Sequence, residues 1–383
     1  MANTQAKPGR ELSLAAKVGQ LFMVGFEGTA LTPALAAWLQ RFAWGGVMLF
    51  ARNAKSPEQL LALSEGLQAV AQARGDLPLL IAIDQEGGRV ARLKAPFTAF
   101  PSAAMLGRTG SEQLVHDVGH AIAMELRAVG ITMNMAPVLD VLTNPANTVI
   151  GDRAFSAEPA CVARLGTACI RGMHAAAVLA TAKHFPGHGD TVLDSHVARP
   201  VSERSTAQLA ACELLPFREA IATDVDAIMT AHVVYPAWDP QFPATLSPTI
   251  LTGVLRGELG FGGAIITDDL GMNAVSDGWP WEEIPLLALR AGADVLLICH
   301  DRPRQERAYA RVLRAVQSGE LPEAFIDRAL ARVVALKARL SRRLQGEATA
   351  TTLACIGSAT HQAIVELARQ RSSQTAATGG AYG

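Results

Sequence analysis

The sequence predicts a single-domain α/β protein, a TIM-type (β/α)8 barrel with a helical extension at its carboxyl end. Short, nearly continuous apolar runs alternate with longer amphipathic stretches, and eight such apolar runs are present. Parallel strands buried on both faces have this apolar character, and their alternation with helices is typical of β/α units. Length is the third observation, since 383 residues are ample for a barrel, which typically needs about 250.

The apolar runs define the eight predicted strands. Their bounds are Gln20–Gly25, Gly46–Phe50, Leu79–Ile83, Thr132–Val138, Ala177–Ala182, Ala227–Thr230, Ala264–Ile266 and Val295–Ile298. An open, doubly wound sheet is the alternative arrangement of alternating strands and helices. The GxGxxG fingerprint that would favour it at the first turn is missing from the sequence, so the barrel is preferred.

Apolar residues at three-and-four spacing predict the helices between the strands. The predicted helices are Pro57–Ala73, Ser111–Val129, Glu158–Ala175, Thr206–Ala222, Ser247–Leu259 and Glu282–Ala291. Ser56 followed by Pro57 is a helix start signal, because serine caps the first free amides and proline fits the first turn. Ser247 followed by Pro248 repeats that signal.

The chain after the barrel is predicted to be short. A terminal helix is expected near Glu323–Arg342, which places the barrel in residues 1–345. Residues 346–383 are predicted to form a linker, a short helix at His361–Arg371 and a flexible tail over Ser372–Gly383, where the residues are small and polar.

Composition and charge exclude several classes of protein. Apolar residues make up 50% of the chain and charged residues 18%, which excludes a mainly disordered protein. The formal net charge of −1 gives no general basic field, so neither nucleic acid nor an anionic membrane is an expected partner. No secretory signal is recognised at the amino terminus, and no apolar run reaches the roughly 18 residues of a membrane span. With five scattered cysteines and no CxxC pair, these features predict a cytoplasmic protein with reduced thiols.

Polar and charged residues follow the predicted strands, at the end where barrel enzymes build their sites. They are Arg52 and Asn53, Asp84, Asp140, Lys183 and His184, His232, Asp268 and Asp269, and His300 and Asp301. Asp and Asn also begin loops and cap helices, so any one of these residues has an ordinary structural explanation. Because the pattern repeats around the barrel, the set as a whole predicts a shared site.

The densest group of titratable residues is the segment Lys183–Asp190, followed by Asp194-Ser195-His196. Such density is typical of sites that handle protons or metals. A zinc site is one interpretation, with ligands drawn from His184, His188, Asp190, Asp194 and His196. No HExxH pair supports it, and Gly187 and Gly189 predict a flexible loop rather than a rigid set of ligands. No metal is therefore expected.

Acid–base catalysis is the favoured interpretation of the same segment. Asp194 and His196 are two residues apart, so in an extended loop their side chains point the same way. A carboxylate bound to one imidazole nitrogen fixes the tautomer and raises the basicity of the other, which suits a group that donates and later accepts a proton. The dyad needs a partner across the substrate, and Asp268 after the penultimate strand is the candidate. A helix cap with an incidental histidine is the simpler alternative for Asp194.

Taken together, these residues resemble the signature of glycoside hydrolase family 3, in its β-N-acetylglucosaminidase branch. The central motif is Lys183–Gly189 followed by Asp194-Ser195-His196. Further stretches that resemble family motifs, in the same order, are Lys17–Phe22, Ile83–Val90 with Arg92, Gly151–Arg153 with Phe155, Thr230–Val233, Pro243–Ser247 and Ile266–Met272. The resemblance extends over residues 12 to 340 or so of the chain.

The resemblance implies a role for each candidate residue. Asp268 corresponds to the nucleophile, and Asp194 and His196 correspond to the dyad in which His196 is the general acid and base. The residues that would hold the sugar are Asp84, Arg92, Arg153, Lys183 and His184. Supporting roles without substrate contact fall to Asp269, His188 and Asp190. The resemblance implies neither a cofactor nor a metal.

The activity implied by the resemblance is that of a retaining exo-β-N-acetylglucosaminidase. Its substrates would be GlcNAc-containing muropeptides of peptidoglycan recycling, or chitooligosaccharides. Many relatives carry a second, sandwich domain, for which residues 346–383 are too few, so the whole site is expected to come from the barrel of a monomer. The alternatives are a β-glucosidase or glycoside phosphorylase of the same fold, a metal-dependent hydrolase, and a sugar-binding barrel without catalytic activity.

Overall fold

A computed structural model gives the fold and describes residues 12–75, 77–191, 199–345 and 352–379. The strands in chain order are β1 (Phe22–Gly25), β2 (Gly46–Leu49), β3 (Leu80–Ile83), β4 (Gln85–Gly87), β5 (Val90–Ala91), β6 (Met133–Asn134), β7 (Leu179–Phe185), β8 (Ala227–Thr230), β9 (Val234–Tyr235), β10 (Asp239–Pro243), β11 (Ala264–Ile266) and β12 (Leu296–Ile298). Eight of them form one parallel sheet in the order β11-β8-β7-β6-β3-β2-β1-β12. A parallel bridge between Ile266 and Val295 joins its two edges, which confirms the predicted barrel.

Each of the eight predicted strands overlaps one barrel strand, although several bounds shift. β6 is much shorter than the predicted Thr132–Val138, because Pro137 has no amide to donate to a neighbouring strand. β7 is longer than predicted at its carboxyl end and includes Lys183 and His184. These two residues are therefore held by the strand itself rather than by the loop after it.

Helices surround the barrel. They are α1 (Leu14–Gln20), α2 (Pro33–Phe42), α3 (Pro57–Arg74), α4 (Ala103–Thr109), α5 (Glu112–Ala128), α6 (Pro159–Ala175), α7 (Thr206–Ala211), α8 (Leu214–Ala222), α9 (Asn273–Ser276), α10 (Ile284–Ala291), α11 (Arg302–Gln317), α12 (Glu323–Gln345) and α13 (Ala359–Gly379). The predicted cap is confirmed at α3, where the Ser56 side chain accepts from the amide of Gln59.

Two helical predictions differ from the structure in kind. The predicted helix Thr206–Ala222 is divided into α7 and α8, because the ring of Pro216 clashes with a continuing helix at the carbonyl of Cys212, four residues earlier. The predicted helix Ser247–Leu259 is a π-helix over Thr249–Glu258.

The carboxyl-terminal segment is more ordered than its composition suggests. α13 extends through Gly379, whereas the predicted helix ends at Arg371 and gives way to a flexible tail. Ser372, the first residue of the predicted tail, is buried at 5% exposure and accepts a hydrogen bond from Arg108. Packing against the barrel overrides the weak helix propensity of its small polar residues.

Within the described ranges, no helix combines the length and the apolar character that crossing a bilayer requires.

Candidate functional site

A pocket of about 770 Å³ opens at the carboxyl ends of the barrel strands. It is lined by six of the predicted site residues, namely Asp84, Arg92, Arg153, Lys183, His184 and Asp268. They come from four strand ends that are far apart in sequence, so the barrel alone brings them together. The predicted acid–base pair, Asp194 and His196, lies outside the described residues.

Lys183 is the centre of the polar network in the pocket. Its Nζ lies 2.8 Å from Oδ1 of Asp84 and 2.6 Å from Oε1 of Glu86, and the side chain is 2% exposed. Arg92 reaches the other oxygen of Asp84, Oδ2, at 3.2 Å. Two carboxylates therefore hold one buried ammonium group in a fixed position.

Arg153 and Glu86 form a two-point ion pair beside this network. Nε of Arg153 donates to Oε2 at 2.9 Å and the terminal nitrogen donates to Oε1 at 2.8 Å. Burial would raise the pKa of Glu86, but Lys183 and Arg153 lower it to about 2. Burial likewise acts to raise the pKa of Asp84, but Lys183 and Arg92 together lower it. Both carboxylates are ionised at neutral pH.

His184 is oriented by Asp140. Its Nδ1 lies 2.7 Å from Oδ2 of Asp140, so Nε2 faces the pocket, 3.5 Å from the guanidinium of Arg153. Oδ1 of Asp140 accepts from the amides of His184 and His188. Burial would raise the pKa of Asp140, but the nearby histidines and these hydrogen bonds lower it to about 2. A carboxylate behind an imidazole fixes its tautomer and ring orientation.

Asp268 stands directly after β11 and lines the pocket with its carboxylate. Oδ1 accepts from the amide of Asp269 at 2.8 Å. Among the described residues no lysine, arginine or histidine lies within ion-pair distance of Asp268. Burial would raise its pKa, but His232 and His184, with the Asp269 amide, lower it. Asp268 is therefore ionised at neutral pH, the state in which a carboxylate can act as a nucleophile.

Asp269 and His232 support the strand end that carries Asp268. Oδ1 of Asp269 accepts from the amides of Gly271 and Cys299, and its carbonyl oxygen accepts from Nε2 of His232 at 3.0 Å. Burial lowers the pKa of His232, so the ring is neutral near pH 7. Asp269 also borders the pocket, and its carboxylate is bonded to backbone amides.

The described start of the loop after β7, residues 186–191, is tightly packed at two glycines where the sequence predicts flexibility. A Cβ on Gly189 would lie 1.8 Å from the carbonyl oxygen of Val141, and one on Gly187 would lie 2.7 Å from the side chain of Glu213. The glycines are required for close approach rather than for hinge freedom. His188 and Asp190 are engaged with neighbouring loop residues, and within the described part of the chain no group of His, Cys, Asp and Glu is arranged to hold a metal ion.

The structure adds functional residues that sequence reasoning left without a role. Glu86 binds both Lys183 and Arg153, and its spacing of two from Asp84 was the available signal, since alternate residues of an extended chain share a face. Asp140 was noted only as a residue after a strand. Its pairing with His184 spans 44 positions of sequence, which no local pattern reveals.

Comparison with known proteins gives a consistent result. Residues 13–336 match the N-terminal domain of glycosyl hydrolase family 3. A β-hexosaminidase from Pseudomonas aeruginosa is 43% identical over 296 residues, which cover 76% of this chain and 86% of that protein.

Two solved structures extend the likeness to the fold. A glycoside hydrolase family 3 β-N-acetylglucosaminidase from Paenibacillus sp. is 44% identical, with a TM-score of 0.90 over 94% of this chain and 69% of that one. NagZ from Neisseria gonorrhoeae is 34% identical, with a TM-score of 0.68 over 83% of this chain and 97% of that one. The chain therefore belongs to glycosyl hydrolase family 3 and is a glycoside hydrolase.

Proposed function

We propose that the protein is a retaining exo-β-N-acetylglucosaminidase with Asp268 as its nucleophile. The observation that carries this proposal is the position of Asp268, a half-buried and ionised carboxylate that shares one pocket with the sugar-binding candidates. The names of the similar proteins, β-hexosaminidase and β-N-acetylglucosaminidase, support the same sugar.

In this mechanism the carboxylate of Asp268 attacks the anomeric carbon and displaces the leaving group. A covalent glycosyl-enzyme forms, and water then releases the sugar with retention of configuration. Attack requires an ionised carboxylate, which the lowered pKa of Asp268 provides. The tight hydrogen bond from the Asp269 amide leaves the second carboxylate oxygen available to the sugar.

The proton is handled by Asp194 and His196 in this proposal. His196 protonates the leaving oxygen and then removes a proton from the attacking water, while Asp194 orients the ring. This assignment rests on the sequence motif, in which Asp194 and His196 follow the end of β7 at Phe185 by nine and eleven residues. His196→Ala is expected to lose most activity on substrates with poor leaving groups and much less on activated aryl glycosides, and equal losses on both would contradict the acid role.

The charge of the pocket favours a neutral sugar. Its four cations, Arg89, Arg92, Arg153 and Lys183, are matched in number by four carboxyl groups, those of Asp84, Glu86, Asp268 and Asp269.

Donors and acceptors of both kinds therefore face the ligand without a surplus positive charge, as a polyhydroxylated sugar requires. Turnover measured with and without inorganic phosphate separates hydrolysis from phosphorolysis, and acceleration by phosphate would favour the phosphorylase alternative.

A second proposal concerns the part of the substrate to which the terminal GlcNAc is attached. We propose GlcNAc-anhydro-muramyl peptides as the natural substrates, on the resemblance to single-domain enzymes of cell-wall recycling, with chitooligosaccharides as the second candidate. The test compares kcat/KM on such a muropeptide with kcat/KM on N,N′-diacetylchitobiose. A higher kcat/KM on the chitobiose would indicate that chitin fragments are the natural substrates.

A 5-fluoro glycosyl inhibitor of the GlcNAc series tests the nucleophile directly. The protein is incubated with the inhibitor, its intact mass is measured, and the labelled peptide is sequenced by tandem mass spectrometry. The label is expected on Asp268. A label on Asp269 or on any other residue would refute the assignment, and full activity after exhaustive chelation would remove the metal-dependent alternative.

A further inference from the structure

The carboxyl-terminal residues 352–379 lie against the barrel. They are near the part of the pocket that Glu86 and Arg153 form, which is called the sugar-binding wall below. α13 packs against α4 and α5, and its residues Val365 and Ala368 are buried. Nε of Arg108 on α4 donates to Oγ of Ser372 at 3.0 Å. The segment is thus joined to the outer face of the barrel over most of its length.

Glu125 of α5 connects this segment to the loop over residues 95–101. Its Oε1 lies 2.8 Å from Nδ1 of His361 and accepts from the amide of Gly357 at 3.0 Å. The amide and the hydroxyl of Thr98 donate to the same carboxylate at 3.0 and 2.5 Å. Burial would raise the pKa of Glu125, but the hydrogen bonds from His361 and Thr98 lower it, so the carboxylate is ionised at neutral pH and can accept all four bonds.

The segment and the loop also touch directly. A Cβ on Gly357 would lie 2.4 Å from the carbonyl oxygen of Pro96, and Gly357 has a φ of +64°, so a side chain is excluded there on two grounds. The ring of Phe100 lies 6.2 Å from the ring of His361.

The same loop supports the strand that carries Glu86. The amide of Gly88 donates to the carbonyl oxygen of Phe100 at 2.9 Å. A Cβ on Gly87 would lie 2.4 Å from the carbonyl oxygen of Pro101. The turn directly after Glu86 therefore rests on residues that Glu125 and the carboxyl-terminal segment hold in place.

The partner of Glu86 is supported from the same side. A Cβ on Gly107 of α4 would lie 1.7 Å from the carbonyl oxygen of Phe155, two residues after Arg153. α13 packs against α4 as well. Both members of the Glu86–Arg153 ion pair are thus backed by elements that the carboxyl-terminal segment covers.

We propose that residues 352–379 act as an intramolecular brace for the sugar-binding wall, with Gly357 and His361 as positioning residues. They act through Glu125, the 95–101 loop and α4 on Glu86 and Arg153, and they do not touch the substrate. This inference rests on the proposed function, since it assigns the sugar pocket as the site that the brace holds.

Loss of the brace is expected to weaken sugar binding more than chemistry. Arg153, held in position by Glu86, would contact the sugar in the ground state and in the transition state alike, and weakening such uniform binding raises KM with little change in kcat. For His361→Ala we expect a KM on an aryl GlcNAc glycoside about five to ten times higher, with kcat per active site changed less than about twofold. Titration with the covalent fluoroglycoside counts the active sites.

Two further variants separate positioning from general stability. His361→Asn keeps a hydrogen-bond donor near the place of Nδ1 and is expected to recover most of the KM. Gln362→Ala, the exposed neighbour on the same helix, is the matched control and should behave as wild type. A His361→Ala protein with a lowered melting temperature but the wild-type KM would overturn the proposal.

Hydrogen–deuterium exchange tests the effect of the brace on the 95–101 loop and the turn after Glu86 without any substrate. Peptides over residues 86–102 are expected to exchange faster in His361→Ala than in wild type, and unchanged exchange there would contradict the connection. This measurement does not depend on turnover, so it tests the brace even if the wild-type protein fails to hydrolyse GlcNAc glycosides. Such a failure would refute the proposed function and not the brace. Gly357→Ala gives the same test by steric conflict if His361→Ala does not fold.

Discussion

Replacing Glu86 by glutamine removes the carboxylate that holds both Lys183 and Arg153 at the pocket. Glutamine has nearly the same shape, so the change tests charge rather than packing. Glu86 accepts from Lys183 at 2.6 Å and forms a two-point pair with Arg153, and its side chain is 7% exposed. Two buried cations would lose their common partner.

The size of the effect follows from the pKa of Glu86. Burial would raise this pKa, but Lys183 and Arg153 lower it from an ordinary 4.5 to about 2. At about 1.4 kcal/mol per pKa unit, the folded protein favours the ionised carboxylate by about 3 kcal/mol. Removing one partner of a buried ion pair typically costs about 3 to 5 kcal/mol, so the two lines of reasoning agree. We expect the free energy of unfolding of Glu86→Gln to fall by about 3 kcal/mol.

The stabilisation that Glu86 provides should depend on pH. The folded pKa lies below the unfolded one, so the stabilisation is complete above pH 4.5 and is lost as the pH falls towards 2. The difference between wild type and Glu86→Gln in urea unfolding should therefore be largest near pH 7 and shrink to about half or less at pH 3. Glu112→Gln, an exposed carboxylate with two surface arginine partners, is the control and should show almost no difference.

Activity gives the second readout of the same variant. A charge-assisted hydrogen bond contributes about 1.5 to 3 kcal/mol, so displaced cations should lower kcat/KM by about 10- to 100-fold, mainly through KM. Wild-type stability and a kcat/KM within threefold of wild type would refute the view that Glu86 organises the sugar-binding wall.

Three further outcomes are expected. Asp268→Asn should reduce kcat by at least about a thousandfold, because the nucleophile is lost, with little change in melting temperature, because asparagine has nearly the shape of aspartate. Near-normal turnover of an aryl glycoside would exclude Asp268 as the nucleophile. Asp140→Asn should raise KM and alter the pH profile of kcat/KM, because the amide no longer fixes the imidazole; an unchanged profile would show that the histidine is oriented by other contacts. Gly189→Ala should lower the free energy of unfolding by about 3 kcal/mol, because its Cβ would lie 1.8 Å from a carbonyl oxygen. The control Gly262→Ala, whose Cβ would have no atom within 4 Å, should stay within about 0.5 kcal/mol of wild type in urea unfolding. Equal losses of stability in the two variants would contradict the packing argument.

Local pattern was sufficient for the barrel and for several of the strand-end residues that line its pocket. Apolar runs bounded by polar residues located all eight strands, because a strand buried on both faces must be apolar along its length. The residues directly after those runs included Asp84 and Asp268, because the geometry of a barrel places strand ends together at one rim.

Pattern failed where long-range packing outweighs local preference. Gly187 and Gly189 predict a flexible loop, yet each lies so close to another segment that no side chain fits. Ser372 belongs to a small, polar stretch that predicts a flexible tail, yet it is buried in α13 against α4. In each case the partner is distant in sequence, so its presence leaves no mark on the local composition.

The sequence by itself determined the fold class, the strand ends and the identity of the groups that can do chemistry, because these depend on periodicity and on residue type. Only the tertiary structure decided which groups act together. Glu86 became the common partner of Lys183 and Arg153, Asp140 became the support of His184, and the carboxyl-terminal segment came to lie behind the sugar-binding wall. These relations join residues that are tens to hundreds of positions apart, and only the closed barrel determines their distances.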